Sequence, residues 1–336
     1  VRLFVTGGAG FIGSAFVRMA LAGELPLPEV EKVTVYDALT YAGTLTNLTE
    51  VATDPRYSFV HADICDAERL QQEMAGHDAI VHFAAESHVD RSINGARTFA
   101  ETNVVGTANV MQAALECGAD RIVHVSTDEV YGSIPEGAWP ETDPLFPTSP
   151  YSASKAGSDL MAESFFRSFG LPVIVTRCSN NYGPHQFPEK IIPLFITNLL
   201  EGKKVPVYGD GSARRDWLHV ADHCRGIALS LIGGTAGEIY NIGGGTELSA
   251  LELTQLLVEK LGADESAIEF VADRPAHDMR YCVDDSKARR ELGYQPQISF
   301  SDGIESTIAW YRSHSEWWKP LRADAPQLDR LRPTTP

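Results

Sequence analysis

The chain has 336 residues, 43% of them apolar, and a formal net charge of -17; it is long enough for one large α/β domain with a smaller lobe. No basic excess exists to neutralise a phosphate backbone or an anionic membrane, which excludes nucleic acid and lipid surfaces as partner classes but not an anionic small molecule, which needs only a few local cations. Cys65, Cys117, Cys178, Cys224 and Cys282 form no Cys-x-x-Cys, no apolar run reaches the length of a membrane span, and the first residues read as a strand and not a signal peptide, so a reducing cytoplasm is expected, with no metal and no disulfide scaffold.

An apolar strand over 3–6 is followed by Gly7-Gly8-Ala9-Gly10-Phe11-Ile12-Gly13 and helical spacing over 14–22. This is a dinucleotide-binding element. Gly7 permits the tight turn, Gly10 lets a pyrophosphate approach the backbone, Gly13 lets helix and strand pack closely, and the phosphates meet the positive end of the helix. A second strand, 32–36, ends at Asp37, placed to accept hydrogen bonds from ribose hydroxyls. Ala38-Leu39-Thr40 offers no cation for an extra phosphate, so the cofactor is read as NAD, not NADP. A third strand, 57–60, leads to Asp63-Ile64. A fourth, 79–83, leads to Ala84-Ala85-Glu86-Ser87, small residues that let the backbone reach a cofactor. One long helix is expected over 98–117. The alternation predicts a Rossmann-type, doubly wound parallel sheet.

A β-branched strand over 121–125 runs into Ser126-Thr127-Asp128-Glu129-Val130-Tyr131-Gly132. Two adjacent carboxylates thus stand past the carboxyl end of a buried strand, where open α/β sheets place their chemistry. Ser149 and Pro150 suit the N-cap and first position of a helix, and Tyr151 and Lys155 then share one face at i and i+4. A lysine cation, together with a nicotinamide cation, favours the phenolate and suits Tyr151 to act as a base.

A sixth strand is expected over 172–177, further strands over 205–208 and 239–243, and helices over 191–200, 222–232, 249–261 and 302–311. Lys190 opens a helix, the wrong end for a cation, and is better explained by an anionic ligand. Tyr208 suits either stacking on a pyrimidine or core packing. Arg215 is the first choice for a diphosphate and Arg274 the second, because a guanidinium grips two phosphate oxygens; Arg214 suits a surface ion pair. His82, His124, His219, Trp310, Trp317 and Trp318 read as packing residues.

The glycine turn, Asp37, Ser126-Thr127 and Tyr151-x-x-x-Lys155 resemble the extended short-chain dehydrogenase/reductase superfamily. A finer resemblance is to the dTDP-glucose 4,6-dehydratase family. It is carried by residues 126–132, Glu86-Ser87-His88-Val89-Asp90-Arg91-Ser92, Tyr151-Ser152-Ala153-Ser154-Lys155, residues 177–184, Arg215-Asp216-Trp217 and Asp273-Arg274-Pro275, and extends to about Trp310. Ala276 replaces a usual glycine, and Ala250 stands where an asparagine is expected.

The resemblance implies a tightly bound NAD, recycled within each turnover. Its contacts would be Gly7, Gly10, Phe11, Ile12, Gly13, Asp37, Thr40, Asp63, Ile64, Phe83, Ala84, Ala85, Ser87, Thr102, Tyr151, Lys155 and Asn181. A dTDP-hexose would meet Ser87, Thr127, Asn180, Glu189, Lys190, Pro206, Tyr208, Arg215, Arg274 and His277. Thr127, Asp128, Glu129, Tyr151 and Lys155 would be catalytic. The implied reaction oxidises dTDP-glucose at carbon 4, eliminates water across carbons 5 and 6 and returns hydride to carbon 6. Two neighbouring carboxyls can divide the elimination, Asp128 as acid and Glu129 as base. An epimerase or decarboxylase on the same frame is the alternative and has no need of both acids; a binding module has no use for all five groups. The expected division is residues 1–180 with 215–245 for NAD, 181–214 with 246–320 for a sugar-nucleotide lobe of mixed α/β structure, and a tail over 321–336. Pairing of the helices over 98–117 and 151–169 would make a homodimer through a four-helix bundle.

Overall fold

The computed structural model describes residues 1–273 and 277–324. The described strands are β1 (Arg2–Thr6), β2 (Lys32–Asp37), β3 (Tyr57–His61), β4 (Ala79–His82), β5 (Arg121–Thr127), β6 (Val173–Cys178), β7 (Asn180–Tyr182), β8 (Val205–Tyr208), β9 (Arg214–His219), β10 (Ile239–Ile242), β11 (Glu247–Ser249) and β12 (Ile268–Val271). The helices are α1 (Phe11–Ala22), α2 (Ala67–Met74), α3 (Val89–Asn94), α4 (Ala96–Ala100), α5 (Thr107–Cys117), α6 (Pro150–Phe169), α7 (Ile191–Leu200), α8 (Val220–Gly233), α9 (Ala250–Leu261), α10 (Ser286–Leu292), α11 (Phe300–Ser313) and α12 (Ser315–Asp324).

Seven strands form one parallel sheet in the order β10-β6-β5-β4-β1-β2-β3. The chain order reverses between β1 and β4, and the crevice at such a switch point is where doubly wound sheets bind ligands. Alternating side chains cover both faces. Leu3, Val5, Val33, Val35 and Val123 pack with α1 and α8 on one side. Phe4, Tyr36, Ile80 and Ile122 pack with α5 and α6 on the other. Each such residue contributes roughly 1.5–3 kcal/mol through burial. A separate core of Ile192, Phe195, Val205, Val207, Trp217, Leu253, Leu257, Tyr311 and Trp318 holds the smaller lobe together. The lobe carries a three-stranded sheet, β11-β9-β7, and the pair β12-β8. Residues 214–219 therefore run in the small sheet, while α8, directly after them, packs against α1 of the nucleotide fold.

The helix expected over 98–117 is not uniform. A π-helical turn over Glu101–Gly106 separates α4 from α5. Its cause is tertiary: Asn103 Nδ2 donates to the Glu86 carbonyl (3.0 Å) and to Ser154 Oγ (2.8 Å), and Asn103 Oδ1 accepts from the Glu86 amide (2.8 Å). Such widened turns occur frequently at functional sites. The packing residues behave as expected: His82 is fixed between Thr6 and Thr107, and Trp318 Nε1 donates to the Tyr311 carbonyl at 2.8 Å.

Candidate active site

A cleft of about 320 Å³ opens at the carboxyl ends of the large sheet. Its floor is the glycine turn. Gly7 has φ +68°, and a Cβ there would lie 2.5 Å from the Ala84 amide nitrogen. At Gly13 a Cβ would come within 2.3 Å of the Gly7 carbonyl oxygen, whereas at Gly10 that oxygen alone is close, at 3.3 Å. Asp37 is buried, accepts from the Ala9 amide (2.9 Å) and the Leu39 amide (2.8 Å), and is pushed up by burial. A Cβ at Gly43 would sit 2.8 Å from Asp37 Oδ1, so the missing side chain keeps that carboxylate open. These residues fit a dinucleotide: bare backbone for a pyrophosphate and an acceptor for ribose. Phe11, Ile12, Thr40, Asp63, Ile64 and Phe83 also line the cleft, as do Ala84, Ala85, Ser87, Thr102 and Asn181.

The catalytic candidates gather on the wall formed by β5 and α6. Thr127 ends β5 and caps the short turn Asp128–Tyr131, its hydroxyl accepting from the Glu129 amide at 3.3 Å. The same hydroxyl donates to Asp128 Oδ1 at 3.3 Å and lies near the Tyr151 phenol, which it pulls down slightly against burial. Asp128 is buried, and its Oδ2 meets no partner among the described residues. Burial first, then Glu129 and Asp216, raise it well above the usual carboxylate range, which favours its protonated form.

The helix α6 is fixed by a capping box between Ser149 and Ser152 with Pro150 at its start, which aims Tyr151 and Lys155 at the cleft. Lys155 Nζ donates to the Val125 carbonyl at 2.8 Å; burial lowers it, and Asp159 works in the opposite direction. Burial and Glu129 hold Tyr151 as a phenol, well above its ordinary value. Lysine alone therefore does not release the phenolate, and the cation of a bound nicotinamide is needed as well.

At the far end Lys190, the N-cap of α7, donates to the Ser87 carbonyl at 2.9 Å. Glu189 Oε2 lies 3.5 Å from Arg91 Nε and 3.8 Å from His88 Nε2. Asn180 presents a buried Oδ1 with no partner among the described residues. Asn181 is locked between the Ser179 carbonyl (3.0 Å) and His223 Nδ1 (2.9 Å).

Pro206, Tyr208, Arg215 and His277 do not line this cleft. The first two lie on β8, which pairs with β12 in the lobe. Arg215 donates to the carbonyls of Arg214 (2.7 Å) and Asp278 (2.9 Å) and covers the Tyr281 ring at 4.4 Å. His277 Nδ1 meets Asp273 Oδ1 at 2.6 Å, and its ring stands edge-on to Tyr208. Arg274 and Ala276 lie outside the described residues, as does the tail beyond 324. Arg214 forms the expected ion pairs, with Glu247 and Glu252.

Sequence reasoning missed Tyr41, Gln186 and Phe187, which line the cleft, and Arg91, whose guanidinium lies 3.5 Å over the Tyr41 ring. Glu86 and Arg91 stand in a quoted motif, a signal that was available; nothing marks Tyr41, four residues past Asp37.

The family model described as GDP-mannose 4,6 dehydratase matches residues 4–307. A dTDP-glucose 4,6-dehydratase of Streptomyces niveus is 55% identical over 323 residues, covering 96% of this chain and 96% of its own. The chain belongs to the dTDP-glucose 4,6-dehydratase family. It is similar in structure to the dTDP-glucose 4,6-dehydratase of Streptomyces venezuelae solved with NAD and TYD bound: TM-score 0.95, 61% identity, 96% of this chain and 100% of that one. The Bacillus anthracis enzyme, solved in complex with NAD, gives a TM-score of 0.88 at 45% identity over 96% of this chain and 99% of its own. Family membership places the chain in the extended short-chain dehydrogenase/reductase superfamily, with its Rossmann sheet and smaller mixed lobe.

Proposed function

We propose that the chain is an NAD-dependent lyase that converts dTDP-glucose to dTDP-4-keto-6-deoxyglucose. The observation that carries this reading is the pair after β5: Asp128 buried and raised above the usual carboxylate range, with one oxygen unpartnered among the described residues, next to Glu129 and on the same cleft as Tyr151 and Lys155.

NAD, when bound, supplies reversible hydride acceptance, from carbon 4 and back to carbon 6. Tyr151 takes the proton of the 4-hydroxyl, and Thr127 holds that oxygen. Lys155, fixed on the Val125 carbonyl, supplies a charge that favours the phenolate. The 4-ketone acidifies the proton on carbon 5, and Glu129 removes it. The electron pair of that C–H bond becomes the carbon 5–carbon 6 double bond as the carbon 6–oxygen bond breaks, and Asp128 protonates the departing hydroxyl to give water. Glu129 then returns its proton to carbon 5. Acid and base are separated by environment, the usual way for two carboxyls to divide such work.

Residues 1–180 with 215–245 serve as the NAD domain, apart from β9, which runs in the lobe's small sheet, and 181–214 with 246–320 as the sugar-nucleotide lobe. Ser87, Asn180 and Glu189 hold the hexose end of the substrate, Lys190 and Arg215 its diphosphate, and Tyr208, Pro206 and His277 the nucleotide end. The protein works in the cytoplasm as a homodimer, α5 and α6 pairing with their copies. Supporting the pairing, Val105, Leu160 and Phe169 remain 52%, 58% and 59% exposed on the π turn and α6.

Incubation with dTDP-glucose and UDP-glucose, followed by product mass, tests the reading. The expected product from dTDP-glucose is lighter by one water, absorbs in alkali and forms without net NADH. A product of unchanged mass points to the epimerase alternative and overturns the proposal.

A further inference from the structure

Three segments that line the cleft meet one another through side chains to which the reaction as written assigns no task. Residues 40–43 follow β2 and its Asp37, residues 83–87 follow β4 and lead into α3, and residues 186–190 lead into α7 of the smaller lobe. Arg91, on α3, lays its guanidinium carbon 3.5 Å from the centre of the Tyr41 ring. The Phe187 ring meets the Tyr41 ring edge-on, with centroids 5.6 Å apart and an interplanar angle of 87°. Arg91 Nε also lies 3.5 Å from Glu189 Oε2, and Lys190 Nζ donates to the Ser87 carbonyl at 2.9 Å. Every one of these contacts crosses from one segment to another.

The segments that carry Tyr41 and Phe187 are anchored on different parts of the cleft. Behind Tyr41, the Thr44 amide (3.1 Å) and Asn47 Nδ2 (2.9 Å) both donate to the Ala9 carbonyl of the glycine turn. Beside Phe187, Gln186 Nε2 donates to the Asn181 carbonyl at 2.9 Å, and the Gln186 carbonyl accepts from the Tyr311 hydroxyl. One anchor is therefore the cofactor floor and the other is β7 and the lobe core. Between Tyr41 and Phe187 the link is ring against ring, with Arg91 stacked on it. Such a link opens without breaking a strand or a backbone hydrogen bond.

We propose that Arg91, Tyr41 and Phe187 form a clasp that keeps the dinucleotide in the cleft through each turnover, with Arg91 and Tyr41 as positioning residues for cofactor retention. The inference rests on the dehydratase reading, in which one NAD serves both hydride transfers. A reduced cofactor lost between them leaves the sugar unfinished, so the chain gains from a contact that slows release. A guanidinium on an aromatic face suits this task. The contact strengthens as water is excluded, and here Phe187 is buried and the Arg91 side chain is 31% exposed.

The test follows the cofactor itself. The full-length enzyme carrying NAD is mixed with an excess of fluorescent etheno-NAD, and exchange is timed without substrate. R91A and Y41A each speed exchange roughly tenfold, the scale of a partly desolvated cation–π contact. The double variant R91A/Y41A is no faster than Y41A, because both changes remove the same contact. Y41F keeps the ring and exchanges at the parent rate. During turnover of dTDP-glucose, lactate dehydrogenase with pyruvate traps escaping NADH, and lactate forms with R91A but not with the parent. Parent-like exchange in R91A, an equal rise in Y41F, or multiplying effects in the double variant overturns the inference. If an alanine variant does not fold, R91M or Y41L replaces it, keeping bulk and losing the cation–ring contact; faster exchange supports the clasp and an unchanged rate overturns it. A parent that releases no water from dTDP-glucose overturns the dehydratase reading instead, so the two failures are distinct.

Discussion

Asp128 and Asp159 are both buried carboxylates within reach of the catalytic helix, and they are treated in opposite ways. Asp159, on α6 one turn past Lys155, meets Arg177 Nε at 2.9 Å and His124 Nε2 at 3.3 Å. Arg177 is clamped in turn by the Tyr131 hydroxyl at 2.8 Å. This pairing overcomes burial and pulls Asp159 down to about 2. Asp128 has carboxylate neighbours where Asp159 has a guanidinium, and it is pushed up. A buried carboxyl with a paired cation ties β5 and β6 to α6. A buried carboxyl set among like charges keeps a proton to give away. The difference separates structure from chemistry more sharply than burial does.

The largest expected effect sharpens the chemical side. D128N lowers the rate of water loss roughly 10²–10⁴-fold, the usual contribution of a positioned acid, and E129Q does the same, while NADH formation at the first step suffers less. Quench-flow mass measurement reads both steps. On the structural side, D159A removes one partner of a buried pair and costs about 3–5 kcal/mol in a urea titration, whereas the paired replacement D159L/R177M recovers most of that loss.

A third expectation concerns acid. Against burial, Arg177 and His124 hold the folded Asp159 at about 2, below the ordinary aspartate value of about 3.9, so its contribution is fully present above the unfolded value and is lost as pH falls through the folded one. That is about 2 kcal/mol disappearing between roughly pH 4 and pH 2, and D159L/R177M lacks this part of the acid slope. Asp128 has the reverse sign. Its folded state prefers the proton, so its contribution is present below the unfolded value and falls as pH rises. D128N therefore gains in Tm relative to the parent on moving from pH 5 to pH 8, the smallest of these effects. A Tm of D128N that falls relative to the parent over the same range breaks the comparison.

The cofactor half of the site was legible because its requirements are local. Close backbone approach at Gly7 and Gly13, and an acid at the end of β2, leave a mark within one βαβ stretch. Asp128 and Glu129 were legible for the same reason, standing directly after a buried strand. What was not legible comes from distant segments that meet only once the sheet forms. Tyr41 and the pair Gln186 and Phe187 lie on loops far apart in the chain, and the three donors on Asp216 come from residues 179, 244 and 246. The π turn before α5 escaped because a single glycine, Gly106, is no sign of a widened turn; the hydrogen bonds of Asn103 to Glu86 and Ser154 accompany it. Arg215 shows the other limit of residue type: it suits a diphosphate, and it donates to two carbonyls with its face on Tyr281, outside the cleft lining.

The most direct test is the D128N/E129Q double variant incubated with dTDP-glucose, with NADH absorbance and sugar-nucleotide mass recorded together. The account predicts oxidised substrate with NADH formed and no loss of water. Water lost at the parent rate contradicts it.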